Sequence, residues 1–171
     1  MNQSTAEATL IERVVIERII PAPPHQVFQA WLDPELLTQW LAPGSLKVMR
    51  AEVDGRVGGR FRVWQGNGEE SAGGFEAEIV ELVPDERLVF NWGFVGPDRI
   101  SIAAARLPAA TVFDSLLTLT FDSAIGNDTR LTLVHERLGA LSEAMPEVAA
   151  LVESGWSMVL AKLAVSVAQQ P

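Results

Sequence analysis

Apolar and polar residues alternate with a period of two along Arg13-Val14-Val15-Ile16-Glu17-Arg18-Ile19-Ile20, which predicts a first strand rich in β-branched side chains. Pro21, Pro23 and Pro24 end it. From Pro23, the stretch His25-Gln26-Val27-Phe28-Gln29-Ala30-Trp31 suits a short helix with proline in its first turn, where the missing N–H would lack a partner anyway. Asp33-Pro34-Glu35-Leu36-Leu37-Thr38-Gln39-Trp40 predicts a second helix, with an Asp cap, an acid in the first turn and apolar residues at helical spacing.

After Pro43-Gly44 the period of two returns and predicts strands near 47–54, 59–65, 73–83, 86–95, 112–122 and 129–137. Between them lie turn residues: Gly58-Gly59, Gly66-Asn67-Gly68, Pro84-Asp85-Glu86 and Ile125-Gly126-Asn127-Asp128. Strands joined this tightly pair antiparallel. One connection is long, Gly96 to Ala110, and its length suits a lid, an interface element or a plain surface excursion. From about Pro146 to Gln169, Leu151, Val152, Trp156, Val159, Leu160, Leu163 and Val167 recur at helical spacing and predict the longest helix. Gly155 lies inside it, where glycine costs about 1 kcal/mol relative to alanine; a close approach of ligand or backbone, or tight helix packing, would account for it.

This order of elements predicts an α+β fold: a curved antiparallel β-sheet of about seven strands wrapped around the long C-terminal helix, with two short helices after the first strand. Residues 10–169 are expected to form one such domain, and 1–9 a disordered tail. A helix is narrower than a twisted sheet of that size, so a pocket is expected between them.

Composition narrows the partners. A formal net charge of -9 would repel a phosphate backbone, and Lys and Arg form no stripe, so no nucleic acid is expected. No membrane insertion is expected either, because no run of about 18 apolar residues stands out. The start, with Glu7 and Glu12, does not read as a signal peptide. A cytoplasmic protein is therefore expected, and the absence of cysteine fits that compartment.

Strand phase places Phe61 with Val63, Leu88 with Phe90, Trp92 and Phe94, and Leu117 with Leu119 and Phe121, each set on one face. With Trp31, Trp40, Trp156 and Val159 these form the candidate lining of a pocket for a small hydrophobic ligand, Trp92 and Trp156 foremost. An ordinary core role is the commoner fate of any single one. His135 shares the phase of Leu131 and Leu133 and should point inward, as a satisfied buried histidine or as an acid or base near neutral pH. It is the sole catalytic candidate. His25 reads as a surface residue.

No cofactor motif is present: Gly66-Asn67-Gly68 lacks the remainder of a phosphate loop, and no Gly-x-Ser-x-Gly elbow occurs. No metal is expected without cysteine, a paired-histidine spacing or a carboxylate-rich loop. Arg56, Arg60 and Arg62, the last two sharing a strand face with Trp64, could grip an anionic head group, although an exposed outer sheet face is the commoner reading.

Several segments recur in a fixed order: Ala22-Pro23-Pro24 with Val27-Phe28 and Trp31; Asp33-Pro34 leading to Trp40; Asp54-Gly55-Arg56-Val57-Gly58-Gly59-Arg60-Phe61; Pro84-Asp85-Glu86-Arg87-Leu88-Val89-Phe90-Asn91-Trp92; Thr129-Arg130-Leu131-Thr132-Leu133 with His135; and Gly155-Trp156 followed by Leu160 and Leu163. In this order they resemble the START-like helix-grip superfamily, and within it the branch similar to the activator of the heat-shock-protein ATPase. The segment after Trp92 is longer than that branch leads one to expect. The resemblance implies a pocket protein for lipids, sterols, polyketides or other apolar molecules. It leaves three functions to weigh: a non-catalytic carrier or sensor, a cyclase- or hydrolase-like enzyme using His135, and a module that binds a chaperone ATPase. Homodimerisation through the long segment or a sheet edge is open as well.

Overall fold

The computed structural model describes residues 10–107, 113 and 115–170. The expected tail at 1–9 and the end of the long segment at 108–110 lie outside them. Seven strands form one sheet: β1 (Arg13–Ile20), β2 (Lys47–Val53), β3 (Arg60–Gly66), β4 (Ser71–Val83), β5 (Arg87–Val95), β6 (Ser115–Ser123) and β7 (Thr129–Glu136). Their order is β1-β7-β6-β5-β4-β3-β2, with every neighbouring pair antiparallel, so β1 and β2 are the two edges.

Helices α1 (Pro24–Leu32) and α2 (Pro34–Trp40) follow β1. Asp33 caps α2 as its position suggests, its Oδ1 accepting from the backbone N–H of Glu35 at 2.9 Å. The buried faces of both helices, including Phe28, Trp31, Leu37 and Trp40, join one hydrophobic cluster that runs from Val14 to Val167. The α+β helix-grip arrangement is thus the observed architecture.

The C-terminal segment departs from the expected single helix. A short α3 (Gly139–Ala144) precedes it, burying Leu141 beside the fully buried Leu138. The helix proper is divided into α4 (Pro146–Ala149) and α5 (Val152–Ala168). At the junction Leu151 donates to the Val148 carbonyl, three residues back, at 3.0 Å, and regular spacing resumes with Gly155 donating to Leu151 at 2.9 Å. Such a tightened turn keeps the three-and-four spacing of apolar residues, so the hydropathy pattern passes through it unchanged.

Pro146–Ala168 taken together is long and apolar enough to cross a membrane by length and composition, which corrects the expectation that no such stretch exists. Its apolar side is occupied in the domain itself: Trp156, Val159, Leu160, Leu163 and Val167 are buried in the core.

Candidate functional site

The space between sheet and helix is filled along most of its length by aromatic rings. Phe61 packs on Phe90 and Trp92 with centroids 5.1 and 5.7 Å apart, and Trp92 packs on Phe75 at 4.7 Å and on Trp156 at 5.7 Å. Trp31 bridges Trp40 at 4.7 Å and Trp156 at 6.0 Å. These contacts close the centre of the grip, which is why Trp31, Trp40, Phe61, Val63, Phe90, Trp92, Leu117 and Leu119, all candidate pocket residues, are instead packed core with essentially no exposed surface. The indole N–H groups of Trp31, Trp40 and Trp92 are buried there without a protein acceptor.

A cavity of about 210 Å³ remains at one end, where the first turns of α5 face β3, β4 and β5. Phe94, Trp156 and Val159 line it. The remaining wall comes from Phe75, Gln65 and Gly74 on the sheet, Val95 and Ile102 around the end of β5, Pro43 after α2, and Val148, Leu151, Val152 and Gly155 across the α4–α5 junction. Leu151, 65 % exposed, and Ala72 stand at its rim.

Three glycines, Gly73, Gly74 and Gly155, shape this space. A Cβ built on Gly155 would meet no atom within 4 Å, so tight helix packing does not account for this glycine, and its missing side chain leaves volume to the cavity it borders. At Gly73 and Gly74, with φ of 116° and 149°, a Cβ would fall 2.2 Å from the Val95 carbonyl oxygen and 2.0 Å from that of Val63. Only glycine lets these backbones approach so closely beside the cavity.

The long segment after β5 closes one side. Arg99, itself in the left-handed region at φ 64°, reaches back over the outer face of the sheet. Its guanidinium donates to the carbonyls of Val63 and Phe75, both at 2.9 Å, and to Glu76 Oε1 at 2.7 Å, while covering the Trp64 ring at 4.3 Å. Glu76, 5 % exposed, also accepts from Arg62 at 2.9 Å, and that bond holds the Arg62 pKa above its ordinary value. Arg99 thereby anchors the described part of the segment, which supplies Ile102 to the cavity wall.

The other charged candidates have partners of their own. Arg56 pairs with Asp54 at 2.9 Å, and Arg60 lies over the Phe113 ring. His25 is exposed and meets Asp85 at 2.9 Å.

His135 is completely buried behind Trp156 and outside the cavity wall. Its Nδ1 lies 3.1 Å from the Trp156 indole nitrogen, and its Nε2 lies 2.8 Å from Ser115 Oγ, which in turn stands 2.7 Å from the Trp92 carbonyl. Burial pushes its pKa down to about 3. Both ring nitrogens thus meet protein groups, and the side chain does not line the cavity.

Gln65, Gly74, Phe75, Ile102, Val148, Leu151 and Val152 were absent from the candidate lining drawn from sequence. Gln65 does carry a signal: it continues the inward phase of Phe61 and Val63, and a polar residue in that phase marks a place where something other than hydrocarbon is accommodated.

Comparison with known proteins places this geometry. Residues 21–168 match the family described as "Activator of Hsp90 ATPase homolog 1-like protein". The fold is similar to that of a Chromobacterium violaceum protein at 27 % identity, covering 94 % of this chain and 100 % of that one, with a TM-score of 0.69. A Rhodobacter sphaeroides protein is similar at 21 % identity, with 93 % and 94 % covered and a TM-score of 0.73. A Mycobacterium smegmatis protein is similar at 24 % identity, with 93 % and 92 % covered and a TM-score of 0.69. No curated protein matches the chain.

Proposed function

From the premise that the chain belongs to the Activator of Hsp90 ATPase homolog 1-like protein family, we propose that it binds a small apolar molecule in the cavity beside Trp156, as a carrier or sensor without chemistry of its own. The observation that carries this reading is the apolar void of about 210 Å³ bordered by Gly155, where a side chain would meet no atom within 4 Å. An apolar cavity of roughly 150 Å³ can stay dry and take up benzene. The cavity here therefore suits one ring with a few additional carbons.

The energetics are modest. Burying roughly 200 Å² of ligand surface at about 25 cal/mol per Å² contributes about 5 kcal/mol, a Kd on the order of 0.1 mM. At about 1 mM ligand the folded state gains about 1.4 kcal/mol, or roughly 3–6 °C in Tm. Thermal unfolding with toluene and ethylbenzene tests this: both should raise Tm, and Gly155→Leu, which fills the void, should abolish the shift. An unchanged Tm for the wild-type protein, with no bound mass in native mass spectrometry, would remove the reading. Stimulation of an Hsp90 ATPase that survives Gly155→Leu would replace it with a surface-contact function.

A further inference from the structure

We propose that Gln65 selects the ligand: the cavity takes a neutral, one-ring molecule carrying a single O–H or N–H donor, which binds to Gln65 Oε1. This rests on the pocket reading above and specifies its ligand.

Gln65 is 7 % exposed and is, among the described residues, the one amide, hydroxyl or charged side chain in the cavity wall. Its orientation follows from its neighbour. The side chain lies 2.9 Å from the carbonyl oxygen of Leu41, an acceptor with no proton to give, so the NH₂ group must face Leu41 and the carbonyl oxygen must face away. Among the described residues, that Oε1 has no hydrogen-bond partner. The other polar side-chain atom at the wall, the Trp156 indole nitrogen, is committed to His135. An incoming molecule therefore meets a mainly apolar wall in which, among the described residues, Gln65 Oε1 is the side-chain acceptor without a protein partner.

The chemistry of the ligand follows. A hydrocarbon leaves the acceptor unmatched in a desolvated site, whereas a hydroxyl or N–H donor satisfies it. An ionised ligand is disfavoured, because among the described residues no charged side chain lines the wall to offset the loss of its hydration. At neutral pH a phenol keeps its proton and meets both conditions.

Binding of p-cresol, toluene and 4-methylanisole to the wild-type protein and to Gln65→Leu, measured by calorimetry or ligand-detected NMR, tests the assignment. In the wild-type protein p-cresol should bind about 10-fold more tightly than 4-methylanisole, which has the same ring without the donor. In Gln65→Leu, p-cresol should weaken about 10-fold relative to toluene. A p-cresol to toluene ratio unchanged by the substitution overturns the Gln65 assignment and leaves the pocket reading standing. Failure of all three molecules to bind the wild-type protein overturns both. If Gln65→Leu does not fold, the wild-type comparison of p-cresol with 4-methylanisole decides: equal affinities overturn the assignment.

Discussion

The indole N–H of Trp156 donates to Nδ1 of His135 across 3.1 Å. Because an indole nitrogen can only donate, Nδ1 must be unprotonated, so the proton of the neutral ring sits on Nε2 and is donated to Ser115 Oγ. The hydroxyl then donates to the Trp92 carbonyl at 2.7 Å. Helix α5 and three strands, β5, β6 and β7, are thereby joined through a histidine that must stay neutral.

Stability should fall as the solution is acidified. His135 has its folded pKa depressed to about 3 from an ordinary value near 6.5, so between those values the unfolded chain binds a proton that the folded one does not, and stability rises with pH. Its contribution is complete above about pH 6.5 and declines as the pH drops toward 3. Between pH 7 and pH 5 the loss should be about 2 kcal/mol. Urea unfolding at the two pH values measures it, and His135→Gln, whose amide can both accept and donate, should lack this component. An equal pH dependence in both proteins would contradict the neutral buried state.

Ser115→Ala should destabilise the protein by about 1–3 kcal/mol, because it leaves the His135 Nε2–H and the Trp92 carbonyl without this buried partner. Ligand affinity should change little, since Ser115 does not line the cavity. Chemical denaturation alongside ligand titration separates the two effects. A large loss of affinity at unchanged stability would place Ser115 at the ligand instead.

Gly155→Ala should make the protein more stable by about 1 kcal/mol through helix propensity, because the new methyl meets open space and the backbone there is ordinary. The same methyl occupies part of the cavity, so a one-ring ligand should bind more weakly. Opposite changes in Tm and affinity are the expected signature. Destabilisation by this substitution would mean that the space is filled.

Arg99→Ala should cost about 3 kcal/mol, because it removes one of the cations paired with the buried Glu76 carboxylate and uncovers two strand carbonyls. Amide exchange at Ile100 and Ile102 should quicken as the segment is released. Arg99→Lys should recover little, since a single ammonium cannot reproduce a fork that spans two carbonyls and a carboxylate. Full rescue by lysine would show that charge alone suffices.

The fold was legible because it depends on local rules. Alternation along Arg13–Ile20 and Thr129–Glu136 identifies strands from the chain alone, and turn residues such as Gly66-Asn67-Gly68 dictate antiparallel neighbours. Asp33-Pro34 marks a helix start that the capping bond to Glu35 realises. The inward direction of His135, Phe94 and Trp156 follows from phase in the same way.

The site was decided at tertiary level. Phase states which face a side chain occupies, but whether Trp92 meets open space or the ring of Phe75 at 4.7 Å depends on what arrives from other elements. The helix break at Ala150-Leu151 leaves the apolar period intact and is invisible to it, yet it sets part of the cavity's rim. Arg99 and Glu76 are 23 residues apart and carry no sequence mark of their pairing. Sequence by itself determined the seven strands, the two helices after the first, the apolar face of the C-terminal helical segment and the inward set, because these follow from neighbours along the chain. Only the folded molecule decided where the packing is incomplete, because a void is what remains after distant side chains have met.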